Sequence, residues 1–540
     1  MACDPIRRPG TRFFLQATLL VSCLGGCAAV GPDFTAPAPA QPADWNSWRG
    51  APEALRDPVS TAAPSERWWE TFQDARLDAL LAQAREASPD LRTAALRFAQ
   101  SRLMRQTVAA QRGPDVGLSA GVSRQRQSEY GAGTRLLDAI APDNREQLVS
   151  VLSDPFTLYQ AGFDMSWEID LWGRVARSIE AADADVDASA AALAQARLSV
   201  ASEIARDYFE LRGIQAQLQW LQEDIAAARE SLDILQARRD GGQIDALDVS
   251  RQQALLADLT GRLAPLRAQE AAAANRIGFL AGQPPGALRD MLAETRDTDA
   301  PMPDLALGLP SEVALRRPDI RAAEARLHAA TADIGIATAD LYPRIVLGAS
   351  FGYESFKDGR FGEWGSRRWS VGPSLSLPLF DRGRRRSTVA LRELAQQEAA
   401  VSYQQTVLRA WQEIDDALTG YGAERRRNIE LRRRLRASSD ALELARARHA
   451  GGMTDFLPEL DARRTLSQAR RDLAQSDSQL RIGLVAIYKA IGGGGQVAPG
   501  VPATDCDICY ESATPRPACV PARRRGAAFP SPIARCHAPP

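Results

Sequence analysis

The sequence predicts an α+β membrane protein, with four transmembrane β-strands per chain continued by a long α-helical coiled coil. Three observations support this prediction: four segments of alternating polarity, a very long stretch without proline, and an internal duplication. Four strands cannot close a barrel, and unpaired strand edges are not tolerated in hydrocarbon. The chain must then oligomerise, and a trimer would form a twelve-stranded barrel.

Each predicted strand has one apolar face and one face of small or polar residues. The apolar positions are Val116, Leu118, Ala120 and Val122; then Tyr159, Ala161, Phe163, Met165, Trp167 and Ile169; then Ile345, Leu347, Ala349 and Phe351; and finally Trp369, Val371, Leu375, Leu377 and Leu379. Such segments of about ten residues are typical of transmembrane β-barrels. A half-buried antiparallel sheet shows the same alternation, so the pattern alone leaves both structures open.

The residues from Arg174 to Arg239 include no proline, and at 1.5 Å per residue they allow a helix of roughly 100 Å. A 4-3 spacing of apolar residues predicts a coiled-coil seam. The seam consists of Ile214, Leu218, Leu221, Ile225, Ala228, Leu232 and Leu235, and Leu431, Leu435 and Leu442 keep its register later in the chain.

The segment Trp172-Gly173-Arg174 marks the transition from strand to helix. The alternation before it predicts that Glu168 and Asp170 face a water-filled lumen and that Trp167 and Ile169 face lipid. A strand that continues into so long a helix fits a channel wall that becomes a periplasmic tube.

The chain repeats one unit twice. "PDLRTA" from Pro89 returns as "PDIRAA" from Pro318, and the turn Gly241-Gly242 corresponds to Gly451-Gly452. Each copy is predicted to run helix, strand, loop, strand, long helix, glycine turn, helix. The predicted segments are a signal peptide (1–26), an acylated N-terminus and extended linker (27–66), the first repeat (67–285), a linker (286–308), the second repeat (309–494) and a disordered tail (495–540).

The N-terminus has the form of a bacterial lipoprotein signal. Three arginines precede an apolar stretch from Phe13 to Leu24, and "LGGC" resembles a lipobox in which Cys27 is acylated. Cys23, which ends "LVSC", is a competing site, and an ordinary cleaved signal is the other alternative. Ala28 stands where an aspartate would usually signal retention in the inner membrane, so the outer membrane is favoured.

The sequence resembles the outer membrane factors of tripartite efflux systems, which are TolC-like channels, and among them the NodT-type lipoproteins of RND systems. The resemblance covers roughly residues 20 to 494 and depends on "GCAAVGPDF", "RWWETFQDARLDALLAQA" from Arg67, "FDMSWEIDLWGR" from Phe163, "LPSEVALRRPDIRAAEARL" from Leu309, "LYPRIVLGASFG" from Leu341 and "LPLFDRGR" from Leu377. The loop at about 124–157 is long for the family, and the tail after Gly495 has no recognised family counterpart.

The resemblance implies a homotrimeric β-barrel in outer-membrane lipid and an α-helical tunnel in the periplasm. It also implies two partners, a periplasmic adaptor and an inner-membrane RND-type pump. The implied function is that of a passive exit duct. A lipid-anchored coiled-coil scaffold and a type I secretion duct are the alternatives.

The glycine turns Gly241-Gly242 and Gly451-Gly452 are predicted to end the long helices away from the barrel, at the adaptor-docking tips. Asp248 and Asp461 match family positions near the periplasmic aperture, with Arg238, Arg448 and Arg463 as candidate partners. The alternative is that both acids are solvated residues favoured by a helix N-terminus.

Little in the sequence suggests catalysis or cofactor binding. Gly348-Ala349-Ser350-Phe351-Gly352 matches the G-x-S-x-G pattern of hydrolases, but its serine lies inside an alternating strand rather than a strand-turn-helix elbow. The three histidines lack metal or triad spacing, and there is no phosphate-binding glycine loop. The formal net charge of −1 offers no basic field for nucleic acid. We therefore expect neither an enzyme nor a bound cofactor, metal or nucleic acid.

Overall fold

A computed structural model describes residues 29–38, 67–132, 134–140, 142–293 and 310–493, together with positions 45, 52, 65, 302, 303, 307 and 308. The strands are β1 (Asp115–Gln125), β2 (Phe156–Ile169), β3 (Arg344–Ser355) and β4 (Arg367–Ser376). The helices are α1 (Ala75–Ala87), α2 (Pro89–Ala109), α3 (Arg135–Ile140), α4 (Arg145–Ser153), α5 (Arg174–Asp240), α6 (Ala246–Gly261), α7 (Leu263–Leu280), α8 (Arg289–Ala293), α9 (Pro310–Arg316), α10 (Pro318–Ala339), α11 (Arg384–Ala450) and α12 (Leu457–Ala490).

The four strands form one antiparallel sheet in the order β1-β2-β3-β4. The register pairs apolar residues with apolar ones: Leu118 lies opposite Phe163, which lies opposite Phe351, which in turn lies opposite Trp369. The four predicted strands are confirmed, except that β4 ends at Ser376 and leaves Leu377 and Leu379 outside it. β4 ends there because Ser376 lies opposite Arg344, the first residue of β3, so the residues after Ser376 have no partner in that strand.

Two helices of 67 residues each, α5 and α11, extend from the sheet. The predicted seam of α5 is buried apart from the half-buried Leu232, and in α11 Leu431 and Leu442 are buried. The predicted long loop between β1 and β2 contains the two short helices α3 and α4. Of the helices in the described ranges, none has both the length and the apolar character that a membrane crossing requires.

The main core lies where α1, α5, α11 and α12 meet. Its largest side chains include Trp68, Trp411 and Tyr488, all at most 2% exposed, and Trp68 stacks on Tyr488 with ring centroids 5.2 Å apart. Tyr208 of α5 donates a hydrogen bond to Asp74 Oδ2 (2.6 Å), the residue that caps α1. Burial and this carboxylate raise the pKa of Tyr208 to about 12, so the phenol remains a donor. A smaller core surrounds Leu221, Leu235 and Phe456 near the glycine turns.

A pair of glycines in the middle of the sheet brings β2 and β3 unusually close together. Gly162 lies directly opposite Gly352, and a Cβ on Gly352 would be 2.5 Å from the Ala161 carbonyl oxygen and 2.7 Å from Gly162 Cα. Glycine is the residue that permits such an approach of two backbones. A larger residue at Gly352 would therefore require a shift of the backbone.

We expect Gly352→Ala to destabilise the sheet by roughly 1–3 kcal/mol, because the added methyl group overlaps backbone atoms that cannot move independently. Gly348→Ala is the matched control: it lies on the same face of β3, and its Cβ would be 3.9 Å from the closest atom, the Gly372 carbonyl oxygen. Urea unfolding of the protein in detergent, followed by tryptophan fluorescence, measures the difference. Equal midpoints for the two variants would contradict the expectation.

Candidate functional site

One face of the sheet carries a hydrogen-bonded set of polar side chains. Ser119 of β1 donates to Asp164 Oδ2 of β2 (3.1 Å), and Ser350 Oγ of β3 lies 2.8 Å from Ser370 Oγ of β4. Ser350 thus lies inside a strand, as predicted, and not at a nucleophile elbow. Asp164 lies opposite Ser350 in the register, so these two hydrogen-bonded pairs form a row of polar side chains, here called the polar ladder, on all four strands.

The same face continues toward the end of the sheet that lies away from the long helices. Gln160 Nε2 and Arg368 both donate to Glu354 Oε2, at 2.9 and 2.8 Å. A concavity of 220 Å³ lies on this face, with Ser119, Asp164 and Arg368 among its lining residues. The polar face therefore carries a concavity that can hold water.

The opposite face of the sheet is apolar and exposed. In one row across the strands, the exposed fractions are 69% for Leu118, 55% for Phe163, 46% for Phe351 and 66% for Trp369. Apolar side chains in a contiguous exposed patch are rare on a soluble monomer and indicate a lipid or protein partner. The predicted separation of faces is confirmed.

At the helical end of the sheet, ion pairs connect the strands to α5. The Glu168 carboxylate is 2.8 Å from Arg174 of α5 and 2.5 Å from Arg344 of β3. Glu168 lies on the polar face as predicted, but only 12% of its side chain is exposed, so it is a structural partner rather than an open lumen acid. Asp170 accepts a hydrogen bond from the Ala176 N–H (2.8 Å) in the first turn of α5.

The two glycine turns have the same geometry. Gly242 and Gly452 have φ values of +70° and +67°, the left-handed conformation that glycine adopts without strain. Gln243 N–H donates to the Arg238 carbonyl (2.9 Å), and Met453 N–H donates to the Arg448 carbonyl (3.0 Å). With Gly241 and Gly451 as the capping residues, both long helices end in a Schellman motif.

The two predicted aperture acids lie just beyond these turns. Asp248 is in the first turn of α6, 22% of its side chain is exposed, and its carboxylate is 3.7 Å from Arg251. Asp461 lies on the exposed side of α12, and within the described chain its carboxylate forms no ion pair. No hydrogen bond joins Asp248 to Asp461 within the part of the chain that the structure covers.

The suggestion that Arg463 pairs with Asp461 is wrong within one chain. Arg463 pairs with Glu459 (2.8 Å) and donates to Ser231 Oγ of α5 (2.6 Å). Residues four apart on a helix face each other, whereas residues two apart do not. Glu459, whose side chain is 8% exposed, is the buried acid of this tip, and the i, i+4 spacing from Glu459 to Arg463 is the signal that identifies it.

The sequence also did not indicate a contact that bridges the two turns. Arg238 of α5 lies 3.3 Å from His449 Nε2 of α11, and His449 Nδ1 lies 3.3 Å from the Thr454 carbonyl oxygen. A carbonyl oxygen can only accept, so Nδ1 is the donor there and Nε2 of the neutral ring accepts from Arg238. The third partner of His449 is the Phe456 ring, edge-on with centroids 5.6 Å apart.

The N-terminal segment 29–38 is held against α5 and α10. Arg177, 5% exposed, donates to Asp33 (2.6 Å), and Phe34 stacks on His328 with ring centroids 4.3 Å apart. Burial raises the pKa of Glu180, but Arg177 and His328, at 2.7 and 3.0 Å, lower it below its ordinary value. Cys27, the predicted acylation site, and the tail 495–540 lie outside the described residues.

The sheet and the helices together define the class of protein. A sheet with one polar face and one exposed apolar face, joined to two helices of 67 residues, has the form of an outer membrane channel protein of the TolC-like kind. The family model described as outer membrane efflux protein matches residues 80–283 and 309–493, and the chain belongs to this family.

Individual relatives agree with this assignment. The outer membrane protein OprJ of Pseudomonas aeruginosa is 32% identical over 491 residues, which cover 91% of this chain and 97% of OprJ. The pyoverdine export outer membrane protein OpmQ of Pseudomonas putida is 32% identical over 459 residues, 85% of this chain and 93% of OpmQ. The solved structure of the outer-membrane channel OprN is similar with a TM-score of 0.76 at 34% identity, and the match covers 86% of this chain and 99% of OprN. The predicted family, its TolC-like channel fold and its outer-membrane location are confirmed.

We expect His449→Ala to loosen both glycine turns, because the ring connects them. Loss of a net hydrogen bond of about 1 kcal/mol would speed local amide hydrogen exchange roughly fivefold in residues 240–245 and 450–456 alike. Arg239→Ala is the control, because Arg239 pairs with its neighbour Asp240 (2.7 Å) and not with the other turn. Faster exchange confined to residues 450–456 would show that His449 stabilises only its own turn.

Proposed function

We propose that the chain is the outer-membrane channel subunit of a tripartite efflux system, a passive exit duct for solutes delivered by an inner-membrane pump. The observation that carries this proposal is the sheet, which is polar and concave on one face and apolar and exposed on the other, and which continues into helices long enough to cross a periplasm. The family is one of efflux channels and not of enzymes. We propose no catalytic activity and no cofactor.

We infer a homotrimer with a twelve-stranded barrel from the sheet edges. Within the described chain β1 pairs only with β2 and β4 only with β3, so each outer edge presents unpaired N–H and C=O groups. In hydrocarbon these groups must find partners, and β4 of one copy can pair with β1 of the next. Exposed apolar stripes with helical spacing support the same assembly: Leu391, Leu394, Val401 and Leu408 on α11, and Leu96, Leu103 and Met104 on α2.

The internal duplication and the segment boundaries stay predictions. Two separate matches to the same family model, at 80–283 and 309–493, support a duplicated chain, as do two 67-residue helices with matching Schellman turns. Two similar halves per chain would give the trimer a nearly sixfold tunnel of alternating α5 and α11 hairpins.

We infer that the partners are a periplasmic adaptor and an inner-membrane RND-type pump. Relatives support this assembly, since one is named as the solvent efflux pump outer membrane protein SrpC of Pseudomonas putida. The adaptor would dock at the tips formed by Gly241-Gly242 and Gly451-Gly452. The anchor would be an acyl group on Cys27, two residues before the segment that lies against α5.

A pair of neighbouring cysteines tests the duct. In β4, Ser374 is on the polar face and Leu375 is on the apolar face, 67% exposed. We expect a charged, water-soluble thiol reagent to lower the single-channel conductance of Ser374→Cys in planar bilayers by roughly half, because the label narrows the lumen. Leu375→Cys, whose thiol faces lipid, should keep the conductance of wild type under the same treatment.

Wild type treated with the reagent controls for its own cysteines, four of which lie in the tail after residue 494. Heat-modifiable migration at the size of a trimer should accompany the conductance. A protein that forms neither trimers nor channels would exclude the duct, and a response of Leu375→Cys alone would reverse the two faces.

We further propose that Asp248 and Asp461 form the charged ring of the periplasmic aperture. Trimer symmetry would bring three copies of each to the tip, where like charges on one axis attract cations. Two observations support the ring. Asp461 is exposed and forms no ion pair in the described chain, and Asp248 is only weakly paired, with Arg251.

We expect Asp461→Ala to weaken block of the channel by a multivalent cation roughly tenfold, and the double variant with Asp248→Ala to weaken it further, since each removed carboxylate lowers the negative potential. Asp240→Ala is the control, because Asp240 lies at the same tip but is paired with Arg239 (2.7 Å). The measurement is the cation dependence of conductance in planar bilayers. Unchanged block in the double variant would make both residues ordinary surface acids.

A further inference from the structure

The loop between β3 and β4 collects aromatic and cationic side chains at the end of the sheet away from the long helices. Phe356 is 65% exposed, Phe361 39% and Trp364 71%. Lys357 lies over the Phe356 ring, 5.6 Å from its centroid. None of these side chains belongs to the polar ladder or to the helix tips.

Arg367 is the first residue of β4 and lies on the apolar side of the sheet. It is opposite Tyr353 in the register, two residues before Trp369, whose ring belongs to the apolar row. Its guanidinium lies 4.0 Å from the centroid of the Trp364 ring and donates to the Trp364 carbonyl (2.6 Å). Within the described chain, Arg367 has no carboxylate partner.

The next residue, Arg368, has the opposite environment. It lies on the polar face and its guanidinium pairs with Glu354 (2.8 Å). The two adjacent arginines carry the same charge but lie on opposite faces of the sheet. Arg368 is neutralised by Glu354 inside the concavity, whereas Arg367 is not neutralised and lies on the apolar surface.

The loop itself folds toward the apolar side. The Phe361 ring lies 6.4 Å from the ring of Tyr159, which lies on the apolar face of β2 with Ala161 and Phe163. The acids of the loop do not neutralise its cations: Asp358 accepts from the Gly359 N–H (2.8 Å), and neither Asp358 nor Glu363 forms an ion pair in the described chain. Lys357, Arg360 and Arg367 thus form a cationic, aromatic rim with an excess of one positive charge over these two acids.

The position of Arg367 restricts its ligand. An arginine on the lipid side of a β-barrel costs roughly 2–4 kcal/mol at the bilayer midplane and about 0–1 kcal/mol near the interface, where aromatic girdles also lie. The guanidinium lies beside Tyr353 and Trp364 at the end of the sheet away from the long helices, the end that the proposed membrane orientation places among the headgroups. A planar guanidinium without a carboxylate matches the oxygens of a phosphate group, which it can bind through two hydrogen bonds.

We propose that the rim formed by Lys357, Arg360, Trp364 and Arg367 is a binding site for the phosphate groups of a glycolipid in the outer leaflet of the membrane. This inference rests on the proposed function, because it requires the apolar face to contact lipid. Arg367 is the central ligand, Trp364 holds its guanidinium in place, and Lys357 and Arg360 extend the positive surface. The site would fix the rotation and depth of the barrel in an asymmetric bilayer.

Lipid retention by the full-length trimer tests the site, with bisphosphorylated lipid A and its dephosphorylated form as probes. We expect native mass spectrometry to show that wild type binds phosphorylated lipid A and that Arg367→Gln binds it roughly tenfold more weakly. Arg367→Lys should lose less lipid A affinity than Arg367→Gln, because lysine keeps the positive charge but not the planar guanidinium. Arg368→Gln is the matched control and should bind as wild type does.

Three outcomes would each overturn the site. The first is that Arg367→Gln binds lipid A with the affinity of wild type, and the second is that Arg367→Gln and Arg368→Gln lose the same affinity. The third is that wild type binds dephosphorylated lipid A as tightly as the phosphorylated form. Conductance in zwitterionic bilayers without glycolipid separates this result from the channel itself. Wild type that conducts there, together with any of those three outcomes, excludes the rim site alone. Wild type that does not conduct excludes the proposed function.

Discussion

The open edges of the four-stranded sheet are the constraint on which the rest of the structure depends. β1 and β4 each present a row of backbone donors and acceptors that no described part of the chain pairs. Water can satisfy such groups, but hydrocarbon cannot, and each group left unpaired there costs several kcal/mol. If the exposed apolar face lies in hydrocarbon, as we propose, edge pairing between copies is the arrangement that would satisfy the backbone of the sheet. The exposed apolar stripes on α2 and α11 fit the same requirement, because a shared barrel brings neighbouring helices together.

The sheet would not direct the helices without a rigid joint. Glu168 provides one, because its carboxylate binds Arg344 on the neighbouring strand and Arg174 at the start of α5. The Trp172 ring stacks on Tyr342 with centroids 4.8 Å apart, and its indole N–H donates to the Pro343 carbonyl (2.8 Å). The N-terminal segment adds a hydrogen bond from Val30 N–H to the Trp172 carbonyl (3.0 Å). The polar face of the sheet therefore continues into a defined side of the helices.

Much of this architecture could be predicted from the sequence, because alternation and heptad spacing are local signals. The strands, the helix from Arg174 and both glycine turns follow from such patterns. Pairings between distant residues do not: Arg238 and His449 are 211 positions apart, and the periodicity of each helix says which side is buried but not which residue it meets. The pairing of Arg463 was misjudged for a different reason, since proximity in sequence favoured Asp461 whereas helical geometry favours Glu459. The lipid-side position of Arg367 became visible only with the register, because its polar side chain interrupts the apolar pattern of β4.

The contacts between the two tips constrain how an aperture could open. Arg238 and His449 connect the turns, and Arg463 of α12 donates to Ser231 of α5 (2.6 Å), so the two hairpins of one chain are joined at more than one level. Separating them would break the hydrogen bond from Arg463 to Ser231 and uncover the apolar residues around Phe456. Asp461, on the exposed side of α12, forms no ion pair within the described part of the chain. In the proposed trimer, where like charges of neighbouring chains would meet at the aperture, movement between chains would therefore disrupt fewer of these contacts than movement within one chain.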